Sequence, residues 1–178
     1  MRYDACSRMV KIRILGAADA GAFQALRLRG LRESPAAFGS TLEEEVGRSI
    51  EEVAERLAEL RSVPRRATFG AFDENGSLLG VAACVQQGGI KMRHKANVFA
   101  MYVSPDARGR GVGRALMEQL EEEARADGKS LLILDTVAER AADRLYGRLG
   151  WIRLGTVPDY ALDPDGSLCD ATFFYKHL

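Results

Sequence analysis

Residues 98–128 read "VFAMYVSPDARGRGVGRALMEQLEEEARADG". An apolar, strand-like run ends at Val103. A helix-like run follows the glycines, with Leu116, Leu120 and Ala124 on one face. Between them Gly109, Gly111 and Gly113 alternate with Arg110 and Val112, directly after Arg108. The first N–H groups of a helix have no intrahelical partner and favour an anion. Glycines let a ligand approach the backbone closely, because no Cβ intervenes. Arg108, Arg110 and Arg114 can add charge-assisted bonds to phosphate oxygens. The turn therefore reads as a pyrophosphate cradle of the form RxxGxG. A P-loop is excluded, because Arg114 and Ala115 stand where Lys and Ser or Thr are needed. A dinucleotide turn stays open. Gly109 and Gly111 fill two positions of GxGxxG, Arg114 replaces the third glycine, and Asp135 ends the next strand near a ribose-binding position.

Working outward, alternation over Val10–Leu15 predicts a strand. Asp19 can cap a helix through Arg32, with Phe23, Leu26 and Leu31 broadly on one side. Ser40 and Thr41 each have a glutamate three residues on, two overlapping capping boxes. Leu42, Val46, Ile50, Val53, Leu57 and Leu60 then recur at helical spacing, with a break at Gly47 and a new cap at Ser49 with Glu52. "ATFGAF", "DENGS" and "LLGVAACVQQ" make a hairpin. Gly88–His94 is a loop and Asn97–Val103 a strand. The glycine-led helix runs to about Asp127 and closes at Gly128. "LLILDT" reads as a strand buried on both faces, and Ala138–Leu149 as a helix stopped by Gly150. "WIRLGTV" and "CDATFFYKHL" are two strands around "DPDGS". The order is β-α-α-β-β-β-α-β-α-β-β, one mixed α/β sheet with most parallel crossovers late in the chain.

The 178 residues suffice for a single domain. Residues 1–8 read as a disordered extension and 9–178 as the domain. Lys plus Arg equals Asp plus Glu at 25 each, and no polybasic tail exists, which speaks against sequence-independent nucleic-acid binding. No apolar run reaches the length of a membrane span. Cys6, Cys84 and Cys169 form no disulfide framework or zinc spacing, so a cytoplasmic protein without a metal is expected.

The segment Val98–Trp151 resembles the acetyl-CoA-binding core of the GNAT superfamily N-acetyltransferases. The resemblance rests on "MYVSPDARGRGVGRALM", on "LLILDTV" and on "AADRLYGRLGW". "RLRGLRESPAAFGSTLEEE" is similar to the start of many small bacterial-type members. The resemblance implies a mixed sheet of about seven strands. It implies a bulge in the strand before the turn, and a splay between that strand and the next. The pantetheine arm would pair there with backbone of Met101, Tyr102 and Val103. Arg108, Gly109, Arg110, Gly111, Val112, Gly113 and Arg114 would wrap the pyrophosphate. Tyr146 would contact the cofactor and protonate the departing thiolate, since a phenol is neutral at pH 7.

The chain departs from the family pattern twice. Glu139 stands where many members carry an Asn that bonds the pantetheine arm. The strand before the turn lacks the usual carboxylate base, so either the amine arrives already neutral or another group serves: His94, Asn97 as a water anchor, Asp135, Glu43, Glu44 or Glu45. The implied activity is direct acetyl transfer from acetyl-CoA to a primary amine of a small molecule or peptide. A non-catalytic acyl-CoA-binding domain and an NAD-binding enzyme are the alternatives. Acidic Glu43, Glu44 and Glu45, with Asp159, Asp163 and Asp165, suggest a cationic acceptor such as a polyamine, amino acid or peptide amine, although a helix start also prefers carboxylates. Apolar "TFFY" suggests a homodimer through the terminal strands.

Overall fold

Side-chain period decides the elements. In the computed structural model, which describes residues 10–35, 38–62, 66–138 and 141–178, the alternating start becomes strand β1, Lys11–Ile14. The expected extension over residues 1–8 lies outside the described residues. Helix α1, Ala20–Glu33, buries Leu26 and Leu31. Asp19 does not cap α1 with its side chain. Its carboxylate instead accepts from Gly16 N at 2.9 Å and from both Arg13 Nη atoms. A short turn at Ala17–Asp19 places the acid at the end of that turn rather than ahead of α1.

The next helical pattern splits as expected. Helix α2, Leu42–Val46, starts on a Thr41–Glu44 capping box, and α3, Ile50–Ser62, starts on reciprocal Ser49–Glu52 bonds. Of the two overlapping boxes only Thr41–Glu44 forms. Ser40 Oγ accepts from Arg27 instead. The break at Gly47 resets the helical phase. Val53 and Leu57 therefore reach the core, while Val46 and Ile50 remain exposed.

The "DENGS" hairpin joins β2, Arg66–Phe72, to β3, Leu78–Gln86. Asp73 Oδ1 accepts from Asn75 N and Ser77 N, and Gly76 takes φ +79°, so the turn chemistry fixes the register. Strand β4, Lys95–Val103, begins two residues earlier than expected. Helix α4, Val112–Ala126, follows, then β5, Leu131–Val137, and α5, Ala141–Arg148. Strands β6, Ile152–Leu162, and β7, Leu168–His177, complete the fold.

The sheet order is β1-β2-β3-β4-β5-β7-β6. Only β4 and β5 pair in parallel. The parallel crossovers lie late in the chain as expected, β4–α4–β5 directly and β5–α5–β6 with β7 inserted antiparallel between its strands. "TFFY" therefore lies on an interior strand, and edge-to-edge pairing of subunits must use β6 or β1. One core packs α4 and α5 on the sheet around Leu116, Met117, Leu120, Leu132 and Phe174. A second core packs α1 and α3 on the other face around Leu26, Val53, Leu57, Val81 and Tyr102. Helices α1 and α3 cover the β2–β3 half of their face. As a result β5 is not buried on both sides: Leu132 and Leu134 are buried, whereas Leu131 and Ile133 are half-buried and Asp135 is exposed.

Candidate active site

The glycine-rich turn opens α4. Gly109 and Gly111 take φ +73° and +79°, and a Cβ on either would meet nothing within 4 Å. Both are glycines because the backbone is left-handed there, and the space above them is free for a ligand. Gly113 differs. A Cβ there would lie 3.0 Å from the Met101 Cε and 3.4 Å from Leu145 Cδ2, so this glycine seats α4 against β4. Ala115 N takes Gly111 O at 3.0 Å, which leaves the N–H groups of the preceding residues pointing outward. The Val112 side chain is core, so only its backbone can serve an anion. Arg108, Arg110 and Arg114 are exposed. Arg108 Nε donates to Val103 O at 3.0 Å, and Arg114 pairs with Glu118 at 3.4 Å.

Strand β4 carries a bulge. Val81 faces Tyr102 and Ala83 faces Phe99, so Ala100 and Met101 together oppose Ala82. Ala100 absorbs the extra residue at φ +54°, a conformation uncommon outside glycine. On the other side, β4 pairs with β5 only from Lys95 to Asn97, against Leu131 to Ile133. Beyond Asn97 the two strands diverge, and the β4 backbone through Met101, Tyr102 and Val103 has no strand partner there. Their side chains are core: Tyr102 joins the α1 face, while Met101 and Val103 pack against the α4 face. The open edge thus offers backbone groups to an extended, amide-bearing ligand.

Tyr146 on α5 packs on the α4 face of the sheet, close enough to Asp135 of β5 to feel its charge. Its ring packs against Trp151 at 6.0 Å and Phe174 at 5.7 Å between centroids. Burial, reinforced by the nearby Asp135 carboxylate, pushes its phenol well above the usual value. The group is neutral and able to donate at any physiological pH. Asp135 lies on β5 two residues past the last β4 pair. Burial also raises its carboxyl, although part of the side chain reaches solvent. Register places Asp135 on the face opposite Leu134, the face that Asn97 and Phe99 share. Glu139 lies outside the described residues.

The other base candidates separate clearly. His94 is exposed before β4 begins, and Glu43 is exposed on α2. Glu44 turns back on Thr41 N at 2.8 Å. Asn97 Oδ1 is buried without a hydrogen-bond partner, which suits a water anchor. Glu45 is buried at 5% exposure. Burial alone would raise it, but Arg27, Arg48 and Arg56 outweigh that and hold its carboxyl below the usual range. A stably ionised, arginine-bound carboxylate is a poor proton acceptor.

Glu45 and its arginines line a cavity of about 620 Å³ that reaches Phe99 and the Ala100 bulge. Nothing in the sequence marked these arginines, since they come from α1, the α2–α3 break and α3. Helical spacing places Arg27 and Arg56 but not Arg48, and none of it reveals their shared partner. Among the described residues no group of three or more His, Cys, Asp or Glu could hold a metal, and no helix is long and apolar enough to cross a membrane. The topology also lacks the doubly wound parallel sheet whose crevice holds a dinucleotide.

Comparison with known proteins agrees with this geometry. An IAA acetyltransferase of Azospirillum brasilense is 43% identical over 68 residues, covering 38% of this chain and 44% of that protein. The L-amino acid N-acyltransferase MnaT of Escherichia coli is 30% identical over 108 residues, 60% of this chain and 62% of the relative. The matches thus span less than two thirds of these relatives' own length. The solved structure of Salmonella typhimurium yncA with its cofactor acetyl-CoA shares the fold at a TM-score of 0.80 and 23% identity, over 96% of this chain and 94% of that one. A family model described as the acetyltransferase (GNAT) family matches residues 35–151. With the seven-stranded mixed sheet, the bulged and splayed β4 and the glycine-led α4 all within that span or beside it, this chain belongs to the GNAT acetyltransferase family.

Proposed function

We propose that the chain transfers an acetyl group from acetyl-CoA to a primary amine of a small molecule or peptide by direct attack. The observation that carries this reading is the unpaired β4 edge beyond Asn97, opening beside an anion-binding helix start. The residues fit the group: free space over Gly109 and Gly111 suits a pyrophosphate, and the open strand edge suits an extended amide arm. Acetyl-CoA supplies an activated thioester when bound. The N–H groups at the start of α4, with Arg108, Arg110 and Arg114, hold the phosphates. Backbone of Met101, Tyr102 and Val103 fixes the arm and its carbonyl. Among the described residues Asp135 is the base candidate left at the gap, and it takes a proton from the amine, directly or through one water. Tyr146 gives its proton to the sulfur. The acceptor named for MnaT, an L-amino acid, supports a small-molecule amine.

Isothermal titration with acetyl-CoA, with NAD in parallel, tests the reading. Acetyl-CoA binding with silent NAD supports it. NAD binding alone would overturn it. Binding without transfer to any amine, together with indifference to Tyr146→Phe, would favour the non-catalytic alternative.

A further inference from the structure

The cavity beside the Ala100 bulge has a charge balance that its sequence hides. Three guanidiniums, from Arg27, Arg48 and Arg56, converge on one carboxylate. Glu45 Oε1 lies 3.1 Å from Arg27 Nη2 and 3.8 Å from Arg56 Nη1, and Oε2 lies 3.2 Å from Arg48 Nε. Glu44, the other acid lining the cavity, is turned toward Thr41 N. Three positive charges against two negative leave an excess of one positive charge among the described lining residues. The donors are also not used up. Arg27 Nε is buried with no hydrogen-bond partner, and the Arg48 and Arg56 side chains are 40% and 50% exposed. Each guanidinium carries five N–H donors in a planar fork matched to a carboxylate.

Of the cationic acceptors that the acidic residues suggest, this argues against a polyamine and for the amino-acid class. A polyamine would meet net positive charge here, and Glu45 is already neutralised. We propose that the acceptor is an amine that also bears a carboxylate, of the amino-acid class, with its carboxylate on the Arg27–Arg48–Arg56 fork. The proposal rests on the acetyl-transfer reading above. The cavity volume suits a ligand of this size. A carboxylate on the fork directs the amine toward Ala100, where the strands part. Phe99, 44% exposed, and Phe38 form the apolar wall for the acceptor's side chain. Phe38 is itself held by Tyr102 at 5.2 Å and by the Arg27 guanidinium at 5.7 Å.

Matched acceptors test this. Initial rates at saturating acetyl-CoA are compared for L-phenylalanine and L-leucine, for L-phenylalaninamide and for 2-phenylethylamine. Removing the carboxylate should lower kcat/KM by about 10- to 100-fold, the range for a hydrogen-bonded charge. Arg56→Gln should raise KM for the acids by about 10-fold with little change in kcat, and should leave the amide and the amine unaffected. Arg48→Gln is the second variant. Both side chains are about half exposed and glutamine keeps hydrogen-bond donors there, so neither change should unfold the protein. Equal rates for acid, amide and amine would overturn the proposal and leave acetyl transfer standing. Failure of acetyl-CoA to bind would instead overturn the acetyl-transfer reading. Titration of L-phenylalanine against L-phenylalaninamide on the free protein then decides the pocket by itself, and absence of a preference for the acid sinks it.

Discussion

At the scale of single residues, Gly111 and Tyr146 carry the clearest expectations. Gly111→Glu puts a side chain at φ +79°, a cost of about 1–2 kcal/mol, and a negative charge where phosphate should sit. Acetyl-CoA binding should vanish in a calorimetric titration while the circular dichroism spectrum stays native. Tyr146→Phe keeps the ring contacts with Trp151 and Phe174 and removes only the hydroxyl. It should lower kcat by about 100-fold, as loss of a general acid does, and leave acetyl-CoA affinity intact. Asp135→Asn should also lower kcat. A base must be ionised, and burial raises this carboxyl, so the wild-type rate should rise with pH through that shifted value. The variant should lose that rise, and an unchanged pH–rate profile would remove Asp135 from the mechanism. Gly109, Gly111 and Tyr146 were legible in the sequence, because special backbone geometry and a family motif both leave marks in single residues. Ala100 was not legible, because a left-handed alanine is imposed by the bulge around it rather than chosen by its own propensity.

At the scale of elements, local signals were read well where one short motif decides the outcome. The Thr41–Glu44 and Ser49–Glu52 boxes and the Asp73 turn all form as their spacing requires. Thr41→Ala should cost about 1 kcal/mol, seen as a lower midpoint in urea unfolding. The errors arose where a partner element decides. Asp19 went to Arg13 on β1, and β5 lost its second cover because α1 and α3 reach only the other half of the sheet. The join between α4 and the C-terminal strands is a further case. Trp151 Nε1 donates to Glu121 Oε1 at 2.9 Å, and Lys176 Nζ reaches Glu121 Oε2 at 2.7 Å and Leu149 O at 2.8 Å. This buried network fixes the end of α5 and thereby the Tyr146 ring against Trp151. Glu121→Ala strands the indole N–H and the ammonium, so about 3 kcal/mol of stability should be lost. The melting temperature and the near-ultraviolet signal of Trp151 report it.

At the scale of the whole molecule, acid stability follows from the two carboxyls that arginines hold low. Arg13 lowers Asp19 and the arginine trio lowers Glu45, against burial in each case. Their usual values are 3.8 and 4.5. A depressed folded value stabilises the native state above the unfolded value, and the stabilisation is lost as pH falls through the folded one. Stability should therefore decline as pH drops below about 4.5. Glu45→Gln should flatten that decline and lower stability at neutral pH, because three arginines lose their buried counter-ion. Urea unfolding across pH 3–7 checks both parts.

By itself the sequence determined the fold class, the order of elements, the glycine-led start of α4 and the caps of α2 and α3. Each depends on periodicity, on caps or on a motif contained in a short window of chain. The family resemblance implied a bulge and a splay in β4, but only the tertiary structure placed the bulge at Ala100 and the parting after Asn97, and brought Arg27, Arg48 and Arg56 onto Glu45. The physical reason is distance along the chain. Arg27, Arg48 and Arg56 lie on separate helices or breaks, and their charge acquires meaning only when the fold brings them onto one buried carboxylate.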